Sequence, residues 1–244
     1  MPHDRATLLK STGPAMAVLV AAVVLASLPV LAKSHHPAAP KPSAPAAPAT
    51  PAVIATAVST GPGSLPDMTL GPVNAPVTVV EYGSASCPHC AEWEKTVWPA
   101  FEAKYIATGK VHYVFREILT NPQEYALSAF LIGRCAVAQS RNPQSSAPYF
   151  AVLQSFFQGQ TGYYQTGMMS PILKQVSAET GLSQKTMVDC VSDGPGGAAF
   201  MKNMETHAKA DKVNETPTFF VNGKRMDGRE LTDFDAAIAA AQGN

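Results

Sequence analysis

An excess of either charge, charged runs, internal repeats and a rich supply of cysteine are all missing from this 244-residue chain. Lys+Arg and Asp+Glu number 18 each, so the formal net charge is zero, and only 15% of the residues are charged. Such a balance gives no basic footprint for a phosphate backbone and no charged tail, so no nucleic-acid partner is expected. The chain has four cysteines, at positions 87, 90, 135 and 190. The single Cys-x-x-Cys has no second copy to complete a zinc site, and Ala91 stands where a c-type haem motif needs histidine. No metal and no cofactor is therefore expected. Hydrophobic residues make up 46% of the chain, enough for one sizeable core.

The first 32 residues read as a targeting segment. Arg5 and Lys10 give a positive start, Pro14 to Leu31 is almost entirely apolar, and Val30-Leu31-Ala32 supplies small residues after the helix-breaking Pro29. This is the pattern of a secretory signal peptide, with an uncleaved membrane anchor as the alternative. Either way the remainder is expected to be exported to a periplasmic location. All four cysteines follow this segment, and an even count in an exported chain favours disulfides over metal. Residues 33–62 are rich in Pro, Ala, Ser and Thr and read as an extended, semi-rigid linker. The His35-His36 pair within them is read as two polar residues beside a cleavage point, not as a metal site.

A folded domain is expected over residues 63–244. Pro76 to Tyr82 is short and β-branched, a buried strand. Pro88 suits a first helical turn, and the helix it opens is predicted to reach Thr108, bent at Pro99 and stopped by Gly109. Lys110 to Ile118 alternates as a second strand. Helices are expected over 122–139 (capped by Asn121), 147–158, 170–180 and 183–191, with 159–167 a loop. Gly194 to Gly197 is read as a break before a last helix to Ala210. Thr216 to Val221 and Lys224 to Met226 form a hairpin about Asn222-Gly223, and a helix over 231–240 closes the chain. Strands divided around helices at about 121–210 indicate one α/β domain carrying a helical insertion subdomain.

Cys87-Pro88-His89-Cys90 lies between the first strand and its helix. At a helix start the first sulfur meets unpaired N–H groups and the positive end of the dipole, which lowers a thiol's pKa. His89 adds a positive charge or an N–H donor, and Cys90, one turn inward, is the expected resolving thiol. An inert disulfide would close too small a loop to stabilise much. The motif thus points to thiol–disulfide exchange.

With Val79-Val80-Glu81-Tyr82 leading into Cys87-Pro88-His89-Cys90, a helical insertion, and then Thr216-Pro217-Thr218-Phe219, the chain resembles the DsbA-type thiol–disulfide oxidoreductases of the thioredoxin-fold family. The likeness covers roughly residues 65–242. It implies a thioredoxin fold with a helical insertion, a cis peptide before Pro217, and Thr216 facing substrate. It also implies a buried carboxylate at Glu81 that relays the proton of Cys90. From the residues alone, Thr216-Pro217 is more often a trans strand start, and the lesser alternative for Glu81 is a solvent-facing strand-edge residue. The resemblance further implies reduced or unfolded exported proteins as substrates and a quinone-linked membrane reoxidase of the DsbB type as partner.

Cys135 and Cys190 fall in two helices of the insertion and read most simply as a structural disulfide, with free thiols or a second redox couple as alternatives. The expected activity is a disulfide oxidase acting as a monomer. A disulfide isomerase or reductase on the same fold is the rival, although the proline-rich 33–62 cannot serve as the dimerisation domain an isomerase needs. A peptide-binding chaperone is another, its groove lined by Phe156, Phe157, Tyr163 and Tyr164.

Overall fold

The β-branched run after Pro76 forms the middle of a five-stranded mixed sheet. The computed structural model describes residues 65–243, so the predicted signal segment, the linker and His35-His36 lie outside the described residues. The strands are β1 (Met68–Leu70), β2 (Val77–Gly83), β3 (Val111–Glu117), β4 (Thr218–Val221) and β5 (Lys224–Arg225), in the order β1-β3-β2-β4-β5. β2 and β3 run parallel, with Val79 opposite Tyr113 and Glu81 opposite Phe115; the remaining pairings are antiparallel. β1 was not anticipated, because three residues give too short a run to show alternation.

The parallel pair is joined by α1 (Pro88–Thr96), α2 (Trp98–Phe101) and a single π-helical turn over Glu102–Ile106. The expected continuous helix is thus interrupted at Val97, two residues before Pro99, whose ring sits in the first turn of α2. Aromatic rings from this connection fill the space beneath the sheet. Trp93 packs on Trp98, Phe101, Phe219 and Phe234, and Trp98 and Phe101 both contact Tyr113.

Five helices separate β3 from β4: α3 (Gln123–Gln139), α4 (Ala147–Thr166), α5 (Ser170–Thr180), α6 (Gln184–Val191) and α7 (Gly194–Ala210). Ser183 caps α6 as expected, accepting from the Thr186 N–H. Three expectations need correction. Asn121 does not cap α3; Pro122 holds the cap position in extended conformation, after a cis peptide bond. α4 does not stop at Gln158 but runs on through Gly159 and Gly162. A Cβ at Gly159 would lie 2.3 Å from Ile172 Cγ1, so this glycine is where α5 approaches most closely, not where the helix ends. Gly194 to Gly197 is likewise no break: with Pro195 in its first turn, where the missing N–H costs nothing, it begins α7. The chain returns through β4, an Asn222-Gly223 turn with both φ positive, β5 and α8 (Leu231–Gln242).

Two ion-pair groups tie the sheet to the helices. Arg134 of α3 donates to both oxygens of the buried Glu117 carboxylate at the end of β3, and Tyr149 of α4 adds its hydroxyl. On the opposite face, Arg116 bridges Asp67 and Asp211 and donates to the Tyr82 hydroxyl.

Cys135 of α3 and Cys190 of α6 form a disulfide across 55 residues, as the simplest reading of the sequence had it. A loop of that length corresponds to about 4 kcal/mol of lost unfolded-chain entropy. Replacing both cysteines with alanine is expected to lower the unfolding free energy by roughly that amount, read from urea melts. Because neither cysteine approaches Cys87, exchange chemistry should be unaffected.

Candidate active site

The site begins where β2 ends. Gly83 permits the tight passage: a Cβ there would lie 2.6 Å from the Phe115 ring and 2.7 Å from Glu81 Oε1. Ser84 to Ser86 then turn the chain, with the Cys87 N–H donating to Ser84 O at 3.0 Å. Cys87 takes the cap position of α1 with extended backbone (φ −82°, ψ 120°), and Pro88 occupies the first turn. Pro88 and His89 are exposed, whereas Cys87 is 6% and Cys90 0% exposed. Both cysteines are free thiols, so the structure holds the dithiol form of the couple.

Their environments differ sharply. The Cys87 thiol is lowered from 9.0 to about 5, first by a hydrogen bond from Cys90, with the Thr216 side chain and the backbone N–H groups of Cys90 and His89 adding to it against the cost of burial. Burial raises Cys90 well above the ordinary thiol value, helped by its bond to Cys87 and by the nearby charge of Glu81, although the Ser84 N–H reaches its sulfur at 3.5 Å. The sequence reading placed the helix N–H groups at Cys87 correctly. It gave His89 as a source of positive charge or an N–H donor, and the contribution found at Cys87 is made by the His89 backbone N–H.

Glu81 is 2% exposed and shares a sheet face with Val79 and Tyr113. Burial raises its carboxyl from 4.5 to about 8, opposed by the Tyr113 hydroxyl, which donates to Oε2 at 2.6 Å. The solvent-facing alternative for this residue is thereby excluded. Thr216 and Pro217 arrive from the other side of the sheet just before β4. Their peptide bond is cis, and Thr216 O lies 3.3 Å from Cys87 Sγ. Pro88, His89, Cys90, Glu81, Thr216 and Pro217 therefore gather around Cys87, whereas Cys135 and Cys190 lie elsewhere, between α3 and α6. His89, Thr216, Pro217 and Arg229 border an open groove of about 710 Å³ beside the thiol.

Several neighbours of the site had not been singled out in the sequence. In the sequence Tyr113 shows only the alternation of a strand. Glu94 lies one helical turn after Cys90; burial, together with the charge of Glu102, raises it to about 8. That four-residue spacing was the signal available for it. The Trp93 indole donates to Arg229 O at 3.0 Å and fixes the groove wall. Phe156 and Phe157, considered for an apolar groove, are core residues at 0% and 7% exposure. Tyr163 and Tyr164 belong to the last turns of α4, not to a loop.

A family model described as Thioredoxin matches residues 64–240. A Rickettsia typhi protein named "putative protein-disulfide oxidoreductase" is 30% identical over 175 residues, which are 72% of this chain and 62% of that protein. The chain thus matches about three-fifths of the length of that relative. Among solved structures, Wolbachia pipientis alpha-DsbA1 is 25% identical with a TM-score of 0.62, covering 72% of this chain and 91% of its own. Oxidised BdbD from Bacillus subtilis, at 18% identity, shares the fold with a TM-score of 0.65 over 79% of this chain and 99% of its own. With a dithiol at a helix start beside a cis-proline loop, and with its similarity to alpha-DsbA1, the chain belongs to the thioredoxin family.

Proposed function

We propose that this chain is an exported disulfide oxidase that introduces disulfide bonds into reduced, unfolded proteins. The observation that carries the reading is the asymmetry of the pair: Cys87 is held near 5 while Cys90 lies well above the ordinary thiol value. In the resting enzyme the two sulfurs are joined. A substrate thiolate attacks Cys87 Sγ, the Cys87–Cys90 bond breaks, and Cys90 departs and takes up a proton. A second substrate thiolate then attacks the mixed disulfide at the substrate sulfur and expels Cys87 as a stable thiolate. The substrate loses two electrons and the enzyme gains them.

The direction follows from the leaving group. A thiol moved from 9.0 to about 5 contributes stability to the reduced protein that is complete above pH 9 and lost as pH falls through 5. At pH 7 it amounts to about 3 kcal/mol in favour of the dithiol. That makes the disulfide the more oxidising partner by about 60 mV. Glu81, neutral below about pH 8, suits the proton donor that Cys90 needs on departure. Thr216 and the groove beside it suit an extended substrate segment. The apolar N-terminal stretch supports export to the periplasm, and turnover then calls for a reoxidising partner, for which a quinone-linked membrane protein of the DsbB type is the fitting class.

The test offers the protein reduced, unfolded ribonuclease and, separately, scrambled ribonuclease. Rapid thiol loss from the first with little recovery of activity from the second is the expected result. Efficient rescue of the scrambled enzyme with slow oxidation of the reduced one would assign the chain to the isomerases instead.

A further inference from the structure

The turn that presents Cys87 is built from small residues, Ser84-Ala85-Ser86, which offer little side-chain packing. Hydrogen bonds therefore fix its path, and they come from two directions. On one side the Ser84 and Ser86 hydroxyls meet Thr120, which follows β3. On the other side stands α4 of the helical insertion. Gln160, 4% exposed, donates its side-chain amide to Ala85 O at 2.8 Å and to Cys87 O at 3.2 Å. One helical turn later, Tyr164 donates its hydroxyl to Ser86 O. Three consecutive carbonyls of the redox loop are thus held by two side chains of one helix, four residues apart and so on the same face.

We propose that Gln160 and Tyr164 are positioning residues of the redox centre, and that the helical insertion, through this clamp, sets the aim of the attacking thiol. Cys87 O also accepts the Ala91 N–H, the opening hydrogen bond of α1. The Gln160 amide therefore fastens the helix start itself. The donors that reach Cys87 Sγ include the backbone N–H groups of His89 and Cys90, and their direction depends on how the Cys87–Pro88 peptide is set. A carbonyl that loses its partner in a buried site rotates toward another donor or admits water. Either movement swings Sγ relative to those N–H groups. The insertion thereby acts on the chemistry without touching the sulfur.

This inference rests on Cys87 being the attacking thiol, and the test separates the two. The reduced protein is titrated from pH 3 to 10 by its thiolate absorbance, in the wild type, Gln160→Leu and Tyr164→Phe, with thermal unfolding recorded for each. The clamp requires the Cys87 titration in both variants to move up by about half a pH unit or more. Tyr164→Phe removes only a hydroxyl from a 44% exposed ring, so it folds and carries the test even where Gln160→Leu does not. Variants that lose stability yet titrate with the wild type would overturn the clamp and leave the oxidase reading intact. A wild-type Cys87 titrating near 9 would overturn both.

Discussion

Replacing Cys87 with serine is expected to reduce oxidation of unfolded ribonuclease to the uncatalysed rate, a loss of at least a thousandfold. Serine keeps the shape of the turn but has no sulfur to exchange. Alanine at position 90 should behave differently. Cys87 would keep the N–H groups of His89 and Cys90 and the Thr216 contact, but would lose its strongest stabilising bond, the one from the Cys90 thiol. The thiol should therefore rise from about 5 while staying nucleophilic. In this variant the Cys87 thiolate can attack a disulfide of scrambled ribonuclease and expel one substrate thiolate; with no Cys90 to resolve the product, the mixed disulfide accumulates and appears on non-reducing gels. Equal activity loss in both variants with no trapped species would argue against Cys87 as the entry point for substrate. A peptide-binding chaperone would show a third pattern, with aggregation suppression unchanged by either substitution.

The sequence revealed the site better than it revealed the helices. Cys87, Cys90, Thr216 and Pro217 were legible because each does something a local pattern announces: a helix-start dithiol, and a Thr-Pro before a β-rich run read with the help of a family resemblance. The burial of Glu81 was legible only through the family resemblance, because strand alternation fixes which face a residue takes and not what covers that face. The errors lie at glycines. Gly159 and the run from Gly194 to Gly197 were read as helix breaks, yet one admits Ile172 against α4 and the others form the first turn of α7. At Gly159 packing outweighed propensity, at a cost of about 1 kcal/mol. Tyr113 and Gln160 were missed for a common reason. Each reaches the site across the sheet or from another helix, so its partner is set by register and packing, and no short motif records either.

Glu81 is expected to make both stability and rate depend on pH, with a definite sign. Its carboxyl is raised in the folded protein from 4.5 to about 8, chiefly by burial. Between those values the native state holds a proton that the unfolded chain has released. Stability from this group is therefore complete below pH 4.5 and falls as pH rises through 8, by about 5 kcal/mol at most. Glutamine at position 81 keeps an oxygen for the Tyr113 hydroxyl and removes the titration. Urea melts at pH 5, 7 and 9 should show the wild type losing stability relative to Glu81→Gln across that range. The rate should respond through the same proton. Cys90 leaves the Cys87–Cys90 bond as a thiolate in a buried setting that strongly opposes its charge. The neutral Glu81 can supply a proton at that moment and, once ionised, take it back when the enzyme is reoxidised. Wild-type oxidation of substrate should therefore fall as pH passes 8 with this contribution removed. Glu81→Gln should be slower at pH 7 by about tenfold to a hundredfold, with that limb of the profile absent. Initial attack by Cys87 in the reduced protein, measured with a small alkylating reagent, should change little. A variant that matched the wild type in rate and in pH profile would confine Glu81 to the stability effect alone.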